Sequence, residues 1–237
     1  MDNTAYTTLT RQVGLMREMQ VVANNIANAA TTGFRQEGVI FSEFVQPVSG
    51  GPSVSMATAN VHDTSMLQGG LTRTGNTLDF AIEGDGFFVV QTPQGERLTR
   101  SGSFSSSAEG DLVTNDGYPV LDSGGAPIFV PPNASQLSAA ADGTLSADGQ
   151  PVAQIGVVQP TDPMAMIRED GVLFDPVAGF DPVEAPRVLQ GFIEASNVDP
   201  VSQIARMIEV QRAYEMGQSF LDAENERVRS SIQTMVK

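Results

Sequence analysis

Two proline-free stretches bracket the chain, and in both of them apolar residues recur at helical spacing. All fourteen prolines fall between Pro47 and Pro200. Near the N-terminus Tyr6, Leu9, Val13, Met16, Ala23 and the pair Ile26 and Ala27 lie three and four apart. That spacing predicts a helix from about Thr4 to Asn28 with this face buried. Thr31-Thr32-Gly33 should end it, because two β-branched residues are followed by one that accepts positive φ. Phe34 then anchors the exit. If Gly33 is left-handed, Asn should replace it more readily than Val.

Toward the C-terminus Met207, Tyr214, Leu221, Val228 and Met235 recur every seven residues, flanked by Val210, Ala213, Gly217, Phe220 and Ile232. The pattern predicts a helix from about Pro200 to Val236, with Pro200 in its first turn and Asp199 or Asn197 as its N-cap. A seven-residue repeat keeps one seam facing a partner helix along its whole length. At about 1.5 Å per residue such a helix is roughly 55 Å long, more than a compact domain of this size requires. Its stripe is narrow and Glu224 interrupts it, so it needs a partner. The N-terminal helix is the first candidate, and the same helix on a neighbouring copy is the second.

The middle differs in kind. From about Leu71 to Val188 short β-branched and aromatic runs alternate with Gly, Asp, Asn and Pro. Phe87-Phe88-Val89-Val90 reads as a strand buried on both faces, closed by the turn Thr92-Pro93-Gln94-Gly95. Leu112 to Leu121 reads as a hairpin about Asn115-Asp116-Gly117, and Gly143 to Val152 echoes it about 33 residues later with one residue deleted from the turn. Residues 36–70 show no clear period and read as an extended or mobile connector. The expected fold is therefore α+β: long N- and C-terminal helices pairing as a coiled-coil-like arm, with an inserted all-β domain. The boundaries are 1–35 for the first helix, 36–70 for the connector, 71–188 for the β domain and 189–237 for the last helix.

Composition narrows the chemistry. The chain has no cysteine and one histidine, His62, which excludes disulfides, zinc-thiolate sites and cysteine nucleophiles and leaves no histidine cluster for a metal. Of the formal net charge of −15, thirteen units lie in residues 51–186, so no basic face exists for nucleic acid. The start lacks a basic segment followed by an apolar one, and no run of 18 apolar residues occurs. These rules alone point to a cytoplasmic protein without membrane insertion. Glu83, Asp85, Glu109 and Asp111 are the carboxylates available for an acid/base pair, but Asp-Gly and Glu-Gly pairs are turn chemistry. No catalytic residue, metal ligand or cofactor site is expected.

Three blocks carry a resemblance. Ala23 to Arg35 (ANNIANAATTGFR), Leu71 to Val90 with its continuation Leu98 to Leu121, and Gly191 to Glu215 (GFIEASNVDPVSQIARMIEVQRAYE) are similar to signatures of the flagellar basal-body rod and hook proteins. They occur in the family's order and cover about half the chain. An opening Met-Asp, the compact length and Val198-Asp199-Pro200-Val201 resemble proximal-rod members, with distal-rod members as the alternative. The resemblance implies a non-enzymatic structural subunit of the rod, located in the periplasmic part of the basal body and transmitting torque. It implies export unfolded through the flagellar type III apparatus, and assembly by terminal-helix packing with copies of itself, the distal rod protein and other rod proteins. On this reading Asn24, Asn25 and Asn28 either terminate the first helix or bond across to neighbouring subunits. Met207, Tyr214, Leu221, Val228 and Met235 form the packing seam, and Arg212 pairs with Glu209 or Glu215 along the last helix. A periplasmic wall-modifying or carbohydrate-binding protein is the competing class.

Overall fold

The structure is a computed structural model describing residues 2–46, 54–134 and 136–235. Two helices flank a strand-rich middle, as the α+β pattern requires. Helix α1 spans Asp2–Ala27 and helix α2 spans Pro200–Met235, within two residues of the expected limits. Asp199 caps α2: its Oδ1 accepts the Val201 amide at 3.1 Å and its carbonyl accepts the Gln203 amide at 3.1 Å. Asn197, the other candidate cap, instead accepts the Gln36 amide at 2.6 Å and donates to the Leu67 carbonyl at 2.8 Å.

The chain folds as two compact units, each assembled from separated segments. One holds Met1–Ala27, Glu37–Asp63 and Asp199–Lys237; the other holds Asn28–Gln36 and Thr64–Val198. These divisions differ from the expected boundaries in two ways. Residues 28–36 and 189–198 fold with the strands, not with the helices, because the Gly33 amide bonds the Glu194 carbonyl and Phe34 is buried. The described residues of the expected connector, 36–46 and 54–70, include strands as well. Glu37–Gln46 and Val54–Thr64 pair as a two-stranded sheet, and the first of these strands lies against α1. Val39-Ile40-Phe41 and Phe44-Val45 supply the β-branched and aromatic content that strands favour.

The β unit centres on a six-stranded antiparallel sheet. Its strand order is Met166–Asp170, Leu173–Pro176, Gly95–Thr99, Phe87–Thr92, Val157–Pro160 and Phe180–Pro182. Phe87–Thr92 explains its own central place. Phe88 and Val90 enter one apolar cluster with Ile82, Phe104, Leu112 and Ile155, while Phe87 and Val89 enter a second with Leu98, Val158 and Phe174. Phe88 packs edge-on to Phe104 at 5.3 Å, and Phe87 to Phe174 at 5.9 Å. Both expected hairpins turn where the sequence places them. Gly117 donates to Thr114 at 2.9 Å, and Asp148-Gly149, both at positive φ, joins Thr144–Ala147 to Gln150–Gln154.

Candidate assembly site

In the helical unit α1 and α2 run antiparallel, because successive contacts advance along one helix and retreat along the other. The Asn25 Nδ2 donates to the Gln203 Oε1 at 3.2 Å. Glu18 accepts the Arg206 Nε at 2.7 Å, and the Gln12 Nε2 donates to the Tyr214 carbonyl at 3.1 Å. Positions of α2 turned away from solvent are 203, 207, 210, 213, 214, 217, 221 and 224, and all but 213 follow alternating steps of four and three. Met207, Tyr214 and Leu221 are therefore half-buried on one stripe with the buried Val210. Gly217 lies on the same stripe, where a Cβ would stand 2.8 Å from the Gln12 Nε2. Beyond Glu224 every described side chain of α2 is exposed, Val228 among them, and the Met235 side chain lies outside the described residues. Helix length accounts for this limit: the ten residues from Gln12 back to Asp2 span about 15 Å. Antiparallel to them, that distance carries α2 from Tyr214 to Glu224.

The face expected to be buried on α1 is the wrong one. Leu9, Val13 and Met16 are about half exposed, and the buried side chains on the opposite side are Gln12, Leu15, Glu18, Val21, Val22 and Asn25. Three of these six are polar, and each of the three has its partner in place. Periodicity of apolar residues located a stripe, but the partner helix covers the stripe whose amides and carboxylate it can satisfy.

The three asparagines have separate positions. Asn25, 1% exposed, donates to the Glu37 carbonyl at 2.7 Å and accepts the Glu37 amide at 2.9 Å, closing a two-bond bracket between α1 and the following strand. Asn28 terminates α1, its carbonyl taking the Thr31 amide and its Oδ1 the Thr31 hydroxyl. Asn24 faces outward. Arg212 is also exposed, and the cation bonded to Glu209 is Arg206, at 3.1 Å, not Arg212. The hydrogen bond to Glu18 holds the Arg206 guanidinium above its ordinary pKa.

Gly33 and Phe34 lie in the β unit. Gly33 is left-handed at φ +70°, and a Cβ there would sit 2.2 Å from the Ser101 backbone nitrogen. The expected advantage of Asn over Val therefore disappears, because any Cβ meets main chain. The Phe34 ring is covered by the Arg168 guanidinium at 4.3 Å.

One node was not anticipated. Arg35 and Arg100, each at most 2% exposed, converge on the equally buried Glu194, at 3.1 Å to its Oε1 and 3.2 Å to its Oε2. The Gly69 amide also donates to Oε1 at 2.9 Å. Arg100 further donates to the Gly84 carbonyl, and Arg35 to the carbonyls of Met66 and Leu67. Burial pushes the Arg100 guanidinium down to about 10, with Glu194 opposing and Arg35 adding to the fall; burial also lowers Arg35. At neutral pH both remain cations. Each of the three sequence blocks quoted above supplies one member of this node, a coincidence that could have flagged it. Among the described residues no group of His, Asp or Glu could hold a metal ion, and no helix is long and apolar enough to cross a membrane.

The same three blocks are matched by known families. Residues 3–35 match the flagella basal body rod proteins, 81–147 the flagellar hook protein FlgE/F/G D1 domain, and 189–234 the flagellar basal body rod FlgEFG C-terminal region. Over all of this chain and 99% of its own, the flagellar basal-body rod protein FlgF of Caulobacter vibrioides is 40% identical. FlgF of Mesorhizobium japonicum is 40% identical over 91% of this chain and 90% of its own. The rod protein FlgG of Bacillus subtilis is 30% identical over 93% and 94%.

Proposed function

The chain belongs to the flagellar basal-body rod protein family, and from that premise we propose that it is a proximal-rod subunit that polymerises through α2 beyond the reach of α1. It is a structural component, not an enzyme, and it transmits torque by helix packing. Its neighbours are copies of itself and other rod proteins, the distal rod protein among them. It reaches the basal body by the flagellar type III export route.

The carrying observation is the uncovered end of the seam. Val228 is exposed and with Met235 continues the register of Met207, Tyr214 and Leu221, and the exposed Ile232 flanks it one turn on. A seven-residue stripe needs a facing helix along its length, and a helix from a second subunit supplies it. The greater identity to FlgF than to FlgG supports the proximal position over the distal one.

Val228→Asp tests this. Because Val228 is solvent-exposed, the purified variant should melt with the wild-type protein. In cells lacking the native gene it should fail to restore swimming, because an aspartate buried against a second helix is left unpaired. Wild-type swimming by this variant would remove α2's distal seam from the assembly interface.

A further inference from the structure

A cavity of about 270 Å³ opens beside the second apolar cluster of the β unit. Its inner wall is apolar: Val89, Leu121 and Val158 belong to that cluster, and Phe180 packs against it. Three carboxylates, Glu96, Asp122 and Glu184, line the same cavity, and no cation does. The Asp122 Oδ1 takes the amides of Gly124 and Ala126, both at 2.8 Å. The carboxylates of Glu96 and Glu184 are exposed and have no hydrogen bond or ion pair among the described residues.

Cations in the β unit are few, and nearly all are engaged. Against seventeen acids it has six arginines. Arg35 and Arg100 hold Glu194, Arg97 holds Glu169, and Arg187 holds Glu83 at 3.1 Å. Arg168 lies over the rings of Phe34 and Phe174. Arg73 ends the short strand Leu71–Arg73, is exposed, and has no hydrogen bond or ion pair among the described residues. It is out of reach of the cavity in its own chain. Arg73 stands opposite Phe192, which lies six residues from the cavity-lining Pro186 along a largely extended run, about 20 Å.

We propose that the cavity receives the Arg73 side chain of a second copy. The aliphatic stem of an arginine suits an apolar wall, and its guanidinium suits carboxylates at the rim. Two units this acidic repel each other, so a contact between copies needs a cation at its centre. Among the described residues of the β unit, Arg73 is the arginine not already engaged. Cavity and arginine lie at separate places on one surface, so the contact runs head to tail and passes from copy to copy, as a rod requires. This contact rests on the rod-subunit reading and adds to it a surface of the β unit, separate from α2.

The chain has no cysteine, so Thr72→Cys and Ala185→Cys, both at exposed positions, place two unique thiols beside the pair and leave Arg73 and Glu184 intact. Basal bodies purified from cells that carry this double variant in place of the native gene should, with a short bismaleimide, give ladders of several linked chains. Arg73→Glu should melt with the wild type, because the position is exposed, and should reduce swimming severalfold. Adding Glu96→Arg and Glu184→Arg reverses the rim and should restore it. Absence of the wild-type chain from purified basal bodies would remove the rod reading, and this contact with it. Presence there without linked chains would overturn the contact alone. Wild-type swimming by Arg73→Glu would also overturn it, and would leave the cavity to a free amine or to a cation of a different rod protein.

Discussion

The strand Phe87–Thr92 and helix α1 are both central to their units, and α1 adds polar residues to what it buries where the run Phe87–Val90 buries apolar ones alone. The strand places Phe87, Phe88, Val89 and Val90 in two apolar clusters, all nearly inaccessible to water. Fully burying side chains of that size stabilises by about 1.5–3 kcal/mol each. Helix α1 turns Gln12, Glu18 and Asn25 toward α2 and leaves Leu9, Val13 and Met16 in water. A satisfied hydrogen bond nets only about 0.5–1.5 kcal/mol. The β unit has therefore used its hydrophobic free energy in folding, whereas the helical unit still holds much of its own in reserve. A polar inner seam also sets register, since an amide or carboxylate has few acceptable partners and a leucine has many. The difference is that between an element complete in one chain and one built for further contacts, which is the reading adopted for α2.

The largest effect expected from any substitution tests how tightly the β unit is closed. Gly33→Asn and Gly33→Val should be equally damaging, and both should give little folded protein. The obstacle is the main chain at Ser101 and Arg100, 2.2 and 2.4 Å from the added Cβ, and not only the sign of φ. Soluble yield and near-ultraviolet circular dichroism report the outcome. A well-folded Gly33→Asn beside a collapsed Gly33→Val would mean that the backbone there yields, and that the unit is less closed than its core implies.

A smaller effect probes the helical unit. Asn25→Leu keeps volume and removes polarity, so it asks whether the inner seam would work equally well as an apolar one. In the wild type Asn25 serves both backbone groups of Glu37, itself buried, and the Gln203 amide. Leucine orphans them, at about 1–3 kcal/mol. Amide hydrogen exchange in α1 and at Glu37 should accelerate while the protection of Phe87–Thr92 is unchanged. If Asn25→Leu were as stable as the wild type, the contrast between the two units would be one of composition without energetic content.

What the sequence made legible follows the same contrast. The helix limits could be read because proline, Gly33 and the Asp199 cap are local signals. The Phe87–Val90 strand could be read because a continuous apolar run of that length has few alternatives. On α2 the repeat through Met207, Tyr214 and Leu221 was visible because methionine, tyrosine and leucine there mark the seam. On α1 half of the seam is polar, Gln12, Glu18 and Asn25, and nothing in one sequence separates buried amides from a solvated face. Arg35, Arg100 and Glu194 lie 65 to 159 positions apart, so only the fold brings them together. The strand at 37–46 escaped because its apolar residues are clustered, and that at 54–64 because its alternation slips at Met56-Ala57.

The smallest effect concerns charge at the surface of the β unit, where the comparison predicts that little is at stake. Arg97 is buried at its stem and donates to both oxygens of Glu169, at 2.6 and 2.8 Å, with Asp175 at 3.5 Å. These bonds hold the Glu169 carboxyl below its ordinary range, which is about 4.3. A carboxyl whose pKa is lower in the folded state contributes stability that is complete above its unfolded pKa and is lost as pH falls through the folded one. Wild type and Glu169→Gln should therefore differ slightly in urea midpoint at pH 7, and the gap should close on acidification below the ordinary carboxylate range. Asp175 remains to hold Arg97 in the variant, and water screens a half-exposed pair, so the neutral-pH gap should be smaller than that of Asn25→Leu. A larger gap for Glu169→Gln would show that the β unit leans on surface charge, and would invert the comparison between a unit stabilised by its apolar core and one held by polar contacts.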